Sequence, residues 1–305
     1  MPTNKGSFRL FRIFGIDVYL HWSWFLIFLY VYEMRDAGEG SLFFNILGVL
    51  TLFLIVLLHE FGHALACKQV GGQANQIVLW PLGGVAYVSP PQRPGAMLWS
   101  IAAGPLVNVV LLFASSTLLL AGSIFGLSNQ VPFFWEYIAV VAYINLILLK
   151  FNLLPIFPLD GGQILQSLLW FKFGKARSMM IATIIGFVGI AAMIPYVIII
   201  KKNDSWYYLL LAFIAFNCWQ GFQYAQRLMK LAKIPRRPGF ACPSCKSAPP
   251  LGALWRCGKC QHSFDTFATL GTCPNCGNQF NVTQCLDCGT ARPISEWATV
   301  PPVNN

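Results

Sequence analysis

His59-Glu60-Phe61-Gly62-His63 spells HExxH near the end of a long apolar run. On a helix, positions i and i+4 share a face. Both imidazoles can then reach one metal ion while Glu60 lies alongside, off the ligand face. Two imidazoles and an adjacent carboxylate are parts of a zinc hydrolase. Zinc lowers the pKa of a bound water from about 15.7 to about 7, and a carboxylate can take the proton. A chain with only four histidines gives roughly one accidental HExxH per thousand such chains. The bland alternative is a pair of core histidines. It would leave three ionisable groups in an apolar helix, at about 2.5–3.5 kcal/mol each for charged types in a membrane.

A catalytic zinc takes three protein ligands and keeps one open position. The best third ligand is Asp160, in Asn152-Leu-Leu-Pro155-Ile-Phe-Pro158-Leu159-Asp160-Gly161-Gly162. Two prolines three apart cannot continue a helix, and the paired glycines allow a sharp turn. Irregular backbone at membrane depth is tolerated where it is buried in protein or lines a wet cavity, so this stretch suits a carboxylate brought to a metal. The competing reading is a Pro-Gly loop at the membrane surface with a solvated aspartate.

Four CxxC pairs lie near the C-terminus: Cys242/Cys245, Cys257/Cys260, Cys273/Cys276 and Cys285/Cys288. Each supplies half of a tetrahedral site from one tight knuckle, so the eight thiolates make two structural zinc sites of four thiolates each. Sequential, nested and alternating pairings of the knuckles all leave workable hairpins. Cys67 and Cys218 lie in apolar runs and read as packing residues. The tail carries Lys246, Arg256, Lys259 and Arg292 against Asp265, Asp287 and Glu296. That balance is no footprint for phosphate, so no nucleic acid is expected, and a protein partner is the better fit.

The elements that must position these groups follow from composition. The chain has 305 residues, 56% apolar and only 10% charged. Soluble domains are about 25% charged, which excludes an ordinary soluble enzyme and a disordered chain alike. Apolar stretches near 16–32, 43–67, 96–121, 134–154, 178–200 and 206–226 approach the roughly 20 residues that cross a bilayer. The fold expected is a polytopic α-helical membrane protein of six spans over residues 1–235. A small β segment at 76–88 and an amphipathic stretch at 161–173 interrupt it. A tandem zinc-ribbon domain over 236–305 follows.

With an even number of spans, Arg9, Arg12, Lys68, Arg93, Lys150, Lys175, Arg177 and the 227–237 cluster share one side with both termini. Arg35, Lys201 and Lys202 face the other, among Glu33, Asp36, Glu39, Glu136 and Asp204. The positive-inside rule makes both termini cytoplasmic. Asp17 and His21 argue against a cleaved signal peptide over the first residues. Thirteen residues from Ile46 to Leu58 span about 20 Å, which sets the metal in the cytoplasmic half of the bilayer. His21 reads either as a structural or interfacial histidine or as a residue near the zinc or a substrate gate, and it is left out of the ligand set.

HExxH followed by NxxPxxPLDGG, with Pro81-Leu82-Gly83-Gly84 and Gly104-Pro105-Leu106-Val107-Asn108 between them, resembles the site-2 protease family of intramembrane zinc metalloproteases. The subgroup resembled is the compact six-span type that includes the sporulation-factor protease. The likeness runs from residue 8 to about residue 230. It implies His59, His63 and Asp160 as ligands of one catalytic zinc and Glu60 as the base. It also implies that Asn152 assists at the substrate carbonyl. Without the resemblance Asn152 reads equally as helix–helix glue. Asn145, seven residues earlier, reads as a polar packing contact; the Gly104–Asn108 stretch reads first as packing around the active helix, with orientation of a metal ligand as the second role open to Asn108.

The expected activity is hydrolysis of peptide bonds in or near transmembrane segments of membrane-anchored proteins, at a prokaryotic cell membrane. The 76–88 segment is a candidate edge for an unwound substrate strand. The alternative is a non-proteolytic scaffold or sensor with a structural zinc and partner-recruiting ribbons. Glu60 separates the two, because a purely structural zinc needs no base.

Overall fold

The computed structural model describes residues 6–26, 42–80, 83–127, 130–200 and 205–299. The chain enters as a hairpin of β1 (Ser7–Ile13) and β2 (Ile16–His21), paired antiparallel. Phe14 and Gly15 form its two-residue turn with φ of 52° and 71°. Two left-handed residues match the twist of the flanking strands. This corrects the first expected span, which cannot begin at residue 16. Ile16 and Val18 are fully buried, while Asp17 turns the other way to meet Arg9 at 2.6 Å. The period is two, that of a strand, and helix begins only at Trp24. Residues 27–32 of that expectation lie outside the described residues. So do Pro81, Leu82 and the far-side charges at 33–39 and 201–204.

β2 runs parallel to β3 (Gln73–Trp80), and parallel neighbours need a crossover. The crossover contains α1 (Leu42–Gln69), the helix that carries HExxH. β4 (Gly83–Ser89) returns antiparallel to β3, giving the sheet order β1-β2-β3-β4 with β4 at an edge. Val18, Ile77 and Leu79 of the sheet pack with Val56, Leu57, Ala64 and Cys67 of α1. Each such side chain contributes about 1.5–3 kcal/mol on burial. The helix bearing the histidines is thereby held against a sheet whose last strand, β4, runs beside it.

Four more long helices follow: α2 (Pro94–Ile124), α3 (Pro132–Asn152), α4 (Asp160–Ile200) and α5 (Ser205–Ala232). Proline opens α2 and α3, where its missing N–H leaves no bond unmade. Phe43–Gln69, Pro94–Ile124, Pro132–Asn152 and Asp160–Ile199 are long and apolar enough to cross a membrane. Their outward side chains, Phe113, Ile124, Val188 and Ile199 among them, are apolar and exposed, as lipid contact requires. Gly174, at φ 75° and ψ 165°, breaks α4 between the amphipathic 160–173 stretch and the apolar remainder. Asn152 and Asp160 bracket a loop that contains a cis Phe157–Pro158 bond.

The C-terminal part holds two small hairpins, β5 (Trp255–Arg256) with β6 (Ser263–Phe264) and β7 (Val282–Gln284) with β8 (Ala291–Pro293). Trp255, Phe267 and Trp297 form a compact aromatic core beside Cys242 and Cys285. Arg236 holds Asp287 at 2.5 Å and Arg237 holds Asp265 at 2.6 Å. These two arginines, counted above among the charges that set orientation, therefore also anchor the ribbon. Burial alone would raise the Asp265 carboxyl. The Gly252 N–H and the Arg237 guanidinium outweigh it and hold the group below the usual carboxylate range. Lys175, just past the α4 break, donates to the Asp287 carbonyl at 2.9 Å and to Gln92 Oε1 at 2.7 Å.

Candidate metal centre

His59 and His63 sit one turn apart on α1, and α4 begins at Asp160 directly opposite them. His59 Nε2 lies 3.0 Å from His63 Nε2 and 3.0 Å from Asp160 Oδ2; His63 Nε2 lies 3.5 Å from the same oxygen. Three ligands about 2.05 Å from a tetrahedral zinc would be about 3.3 Å apart, so the donor set fits that ion. Both histidines are buried. His63 Nδ1 faces the Ser100 carbonyl at 2.9 Å, and His59 Nδ1 faces Asn108 Oδ1 at 2.5 Å. With the Nδ1 proton donated in each case, both Nε2 atoms are free to ligate.

Glu60 is also buried, on the adjoining face of α1. Its Oε2 accepts from the Ala86 N–H of β4 at 2.9 Å. Two glycines are required by these close approaches. A Cβ at Gly84 would fall on the Glu60 side chain, 2.6 Å from Oε1, and one at Gly104 would fall on the His63 ring, 2.8 Å from His59 Nε2. The strand edge and the second membrane helix therefore come to the donor cluster as bare backbone. The glycines after Asp160 work differently from the expected sharp turn. Gly161 and Gly162 lie inside the first turn of α4, where a Cβ would collide with the backbone of Leu153, Leu154, Ile156 and Phe157. They let the 153–159 loop fold tightly under Asp160.

Asn152 is the last residue of α3 and half-buried. Among the described residues no hydrogen bond joins its amide to the donor cluster. His21 is outside the cluster as well: it stacks on Trp80 at 3.8 Å and meets Ser23 Oγ at 2.5 Å. The partners of the histidines and of Glu60 include two main-chain groups, the Ser100 carbonyl and the Ala86 N–H. No residue-type signal can announce such groups in a sequence.

The cysteines group as nested pairs. Cys242 and Cys245 meet Cys285 and Cys288, while Cys257 and Cys260 meet Cys273 and Cys276. The closest Sγ–Sγ distances across these pairs are 3.8, 3.7, 3.6 and 3.7 Å. A tetrahedron with about 2.3 Å zinc–sulfur bonds has edges of about 3.8 Å, whereas a disulfide needs about 2.05 Å. Both clusters fit zinc, and none of these cysteines is in a disulfide.

The sequence profile of peptidase family M50 matches residues 47–136 and 123–196. That range holds HExxH, the Gly104–Asn108 stretch and Asp160. The chain belongs to peptidase family M50. It is similar to a zinc metalloprotease of Methanocaldococcus jannaschii, 38% identical over 181 residues, covering 59% of this chain and 50% of that protein. It is also similar to stage IV sporulation protein FB of Bacillus subtilis, 32% identical over 196 residues and 63% of each chain. The chain thus spans 50–63% of the length of these two curated relatives. A solved site-2 protease from Methanocaldococcus jannaschii superposes with a TM-score of 0.50 at 28% identity, over 71% of this chain and 95% of that one. The membrane helices and the donor cluster thus sit in a site-2 protease fold, as the motifs implied.

Proposed function

We propose that this chain is an intramembrane zinc-dependent endopeptidase that cuts membrane-anchored proteins in or near their transmembrane segments. The observation that carries the proposal is the convergence of His59, His63 and Asp160 within a few ångströms, with Glu60 buried beside them in an apolar helix. A structural zinc needs no such carboxylate, so the scaffold reading is not favoured. Zinc held by these three groups would acidify a water and polarise the substrate carbonyl. Glu60 then accepts the water's proton and returns it to the leaving amine. The Asn152 amide is the proposed donor to the oxyanion.

A membrane-spanning substrate arrives helical, with its carbonyls already bonded, so local unwinding near Gly or Pro must precede cleavage. The outer edge of β4, adjacent to Glu60, is the proposed seat for the unwound strand. Six spans remain our reading. α5 has 28 residues, about 42 Å of helix, and the apolar run after His21 suggests the first span by sequence alone. Charge balance favours cytoplasmic termini, with the ribbon on that face. Full metal loading is then three zinc ions per chain, one at the catalytic site and two in the ribbon, whose exposed face is the candidate surface for a protein partner.

The test is co-expression with tagged single-span reporter proteins. Wild type should release a shortened fragment. Glu60→Gln should abolish release while retaining the same zinc content. Fragment release at the wild-type rate by Glu60→Gln overturns the proposal.

A further inference from the structure

α3 places one residue in full burial, and that residue is polar: Asn145. Its Oδ1 accepts from Asn108 Nδ2 at 2.7 Å, and Asn108 Oδ1 faces His59 Nδ1 at 2.5 Å. Asn108 and Asn145 are both fully buried. A single file of hydrogen bonds thus runs from α3 through α2 to a ligand histidine on α1. It ends at Asn145 Nδ2, a buried donor without a partner among the described residues.

The two histidines are held differently. His63 Nδ1 faces a main-chain carbonyl, which can only accept. His59 Nδ1 faces a side-chain amide, whose two ends are nearly the same shape but opposite in character. Turned over, Asn108 would offer an N–H to Nδ1 and drive the His59 proton onto Nε2, the nitrogen that must stay bare to bind zinc. Something has to fix which end of Asn108 faces the ring. In the structure Asn145 turns its oxygen to the Asn108 N–H, and in that arrangement only the Asn108 oxygen is left for His59.

We infer that Asn145 is a positioning residue that sets the tautomer of His59 through Asn108, and so tunes zinc affinity from two hydrogen bonds away. The inference rests on the zinc reading given above. It differs from simple helix–helix glue of the kind that interhelical hydrogen bonds supply in membranes. Glue makes Asn145 matter for stability alone; a tautomer lock makes the oxygen facing Asn108 matter for zinc.

The experiment is chelator competition on the detergent-solubilised full chain, read as zinc retained per chain, with thermal unfolding of the metal-free protein alongside. The zinc absent from His63→Ala identifies the catalytic site, and the ribbon zincs serve as the internal reference. Asn145→Leu should weaken the catalytic zinc about tenfold, the lower end of the 10–100-fold range for outer partners of metal ligands. Asn145→Asp keeps an oxygen facing Asn108 and should stay within about threefold of wild type. If Asn145→Leu does not accumulate, Asn145→Ala is read in its place. Wild-type zinc affinity in the Leu or Ala variant, or equal losses in that variant and Asn145→Asp, overturns the inference. Wild-type protein that holds only ribbon zinc overturns the inference and the zinc reading together.

Discussion

Gly104→Ala is the smallest change aimed at the centre of the site. The added methyl would land on the His63 ring and 2.8 Å from His59 Nε2, where ordinary contact starts at 3.4 Å. α2 would have to retreat about 0.6 Å to clear His59 alone, and further to clear His63. The rings cannot turn aside cheaply, because their Nδ1 atoms are tied to the Ser100 carbonyl and to Asn108. Overpacking of this kind costs about 1–3 kcal/mol, and displaced ligands should weaken zinc at least as much as loss of an outer partner, about 10–100-fold. The assay is zinc retention under chelator competition, with apo-protein unfolding beside it. Gly122→Ala is the control: its methyl would meet the Trp135 ring, away from the site, and should lower stability without touching zinc affinity. Wild-type zinc affinity in Gly104→Ala would mean that glycine is not there to make room for the ligands.

Gly84→Ala should push Glu60 from its place beside β4, lowering the cleavage rate by about 10²-fold or more with zinc content unchanged; a wild-type rate in the reporter assay counts against it. Cys257→Ser should remove one ribbon zinc and loosen the β5–β6 hairpin, read as metal content and amide exchange, while the membrane helices keep their protection. Asp265 has a folded pKa below its unfolded value, so its contribution is present above the unfolded pKa of about 3.9 and is lost as pH falls through the lower folded one. Urea unfolding of wild type and Asp265→Asn should therefore differ by a constant amount at neutral pH and converge in acid below about pH 4; a gap that widens there contradicts the Arg237–Asp265 assignment.

The grouping of the donor residues was legible because it depends on residue type at fixed spacing. HExxH on an apolar helix, an aspartate after two prolines, and eight cysteines in four knuckles each limit the physical options to a few. The long helices were legible for a similar reason, since an uninterrupted apolar run has few other homes. The β1–β2 hairpin was not, because Ile16, Val18 and Leu20 merge with the apolar residues beyond His21 and hide the alternation that exposes Asp17. The nested cysteine pairing was one of three arrangements equally compatible with spacing. The roles of Gly84 and Gly104 emerge only once helices and strand are packed together, because what matters is the atom a methyl would strike. Asn145 looked like a polar contact in the sequence, and only its place behind Asn108 and His59 gives that contact a direction.

The most direct test of the central claim is a zinc count on purified wild type and on Asp160→Ala, after exchange into buffer with a weak chelator. Asp160 is the one donor that arrives from α4 to meet the two histidines of α1. Wild type should hold three zinc ions per chain and Asp160→Ala two, the ribbon pair being retained. Three ions in both proteins, held with equal affinity, would contradict that claim.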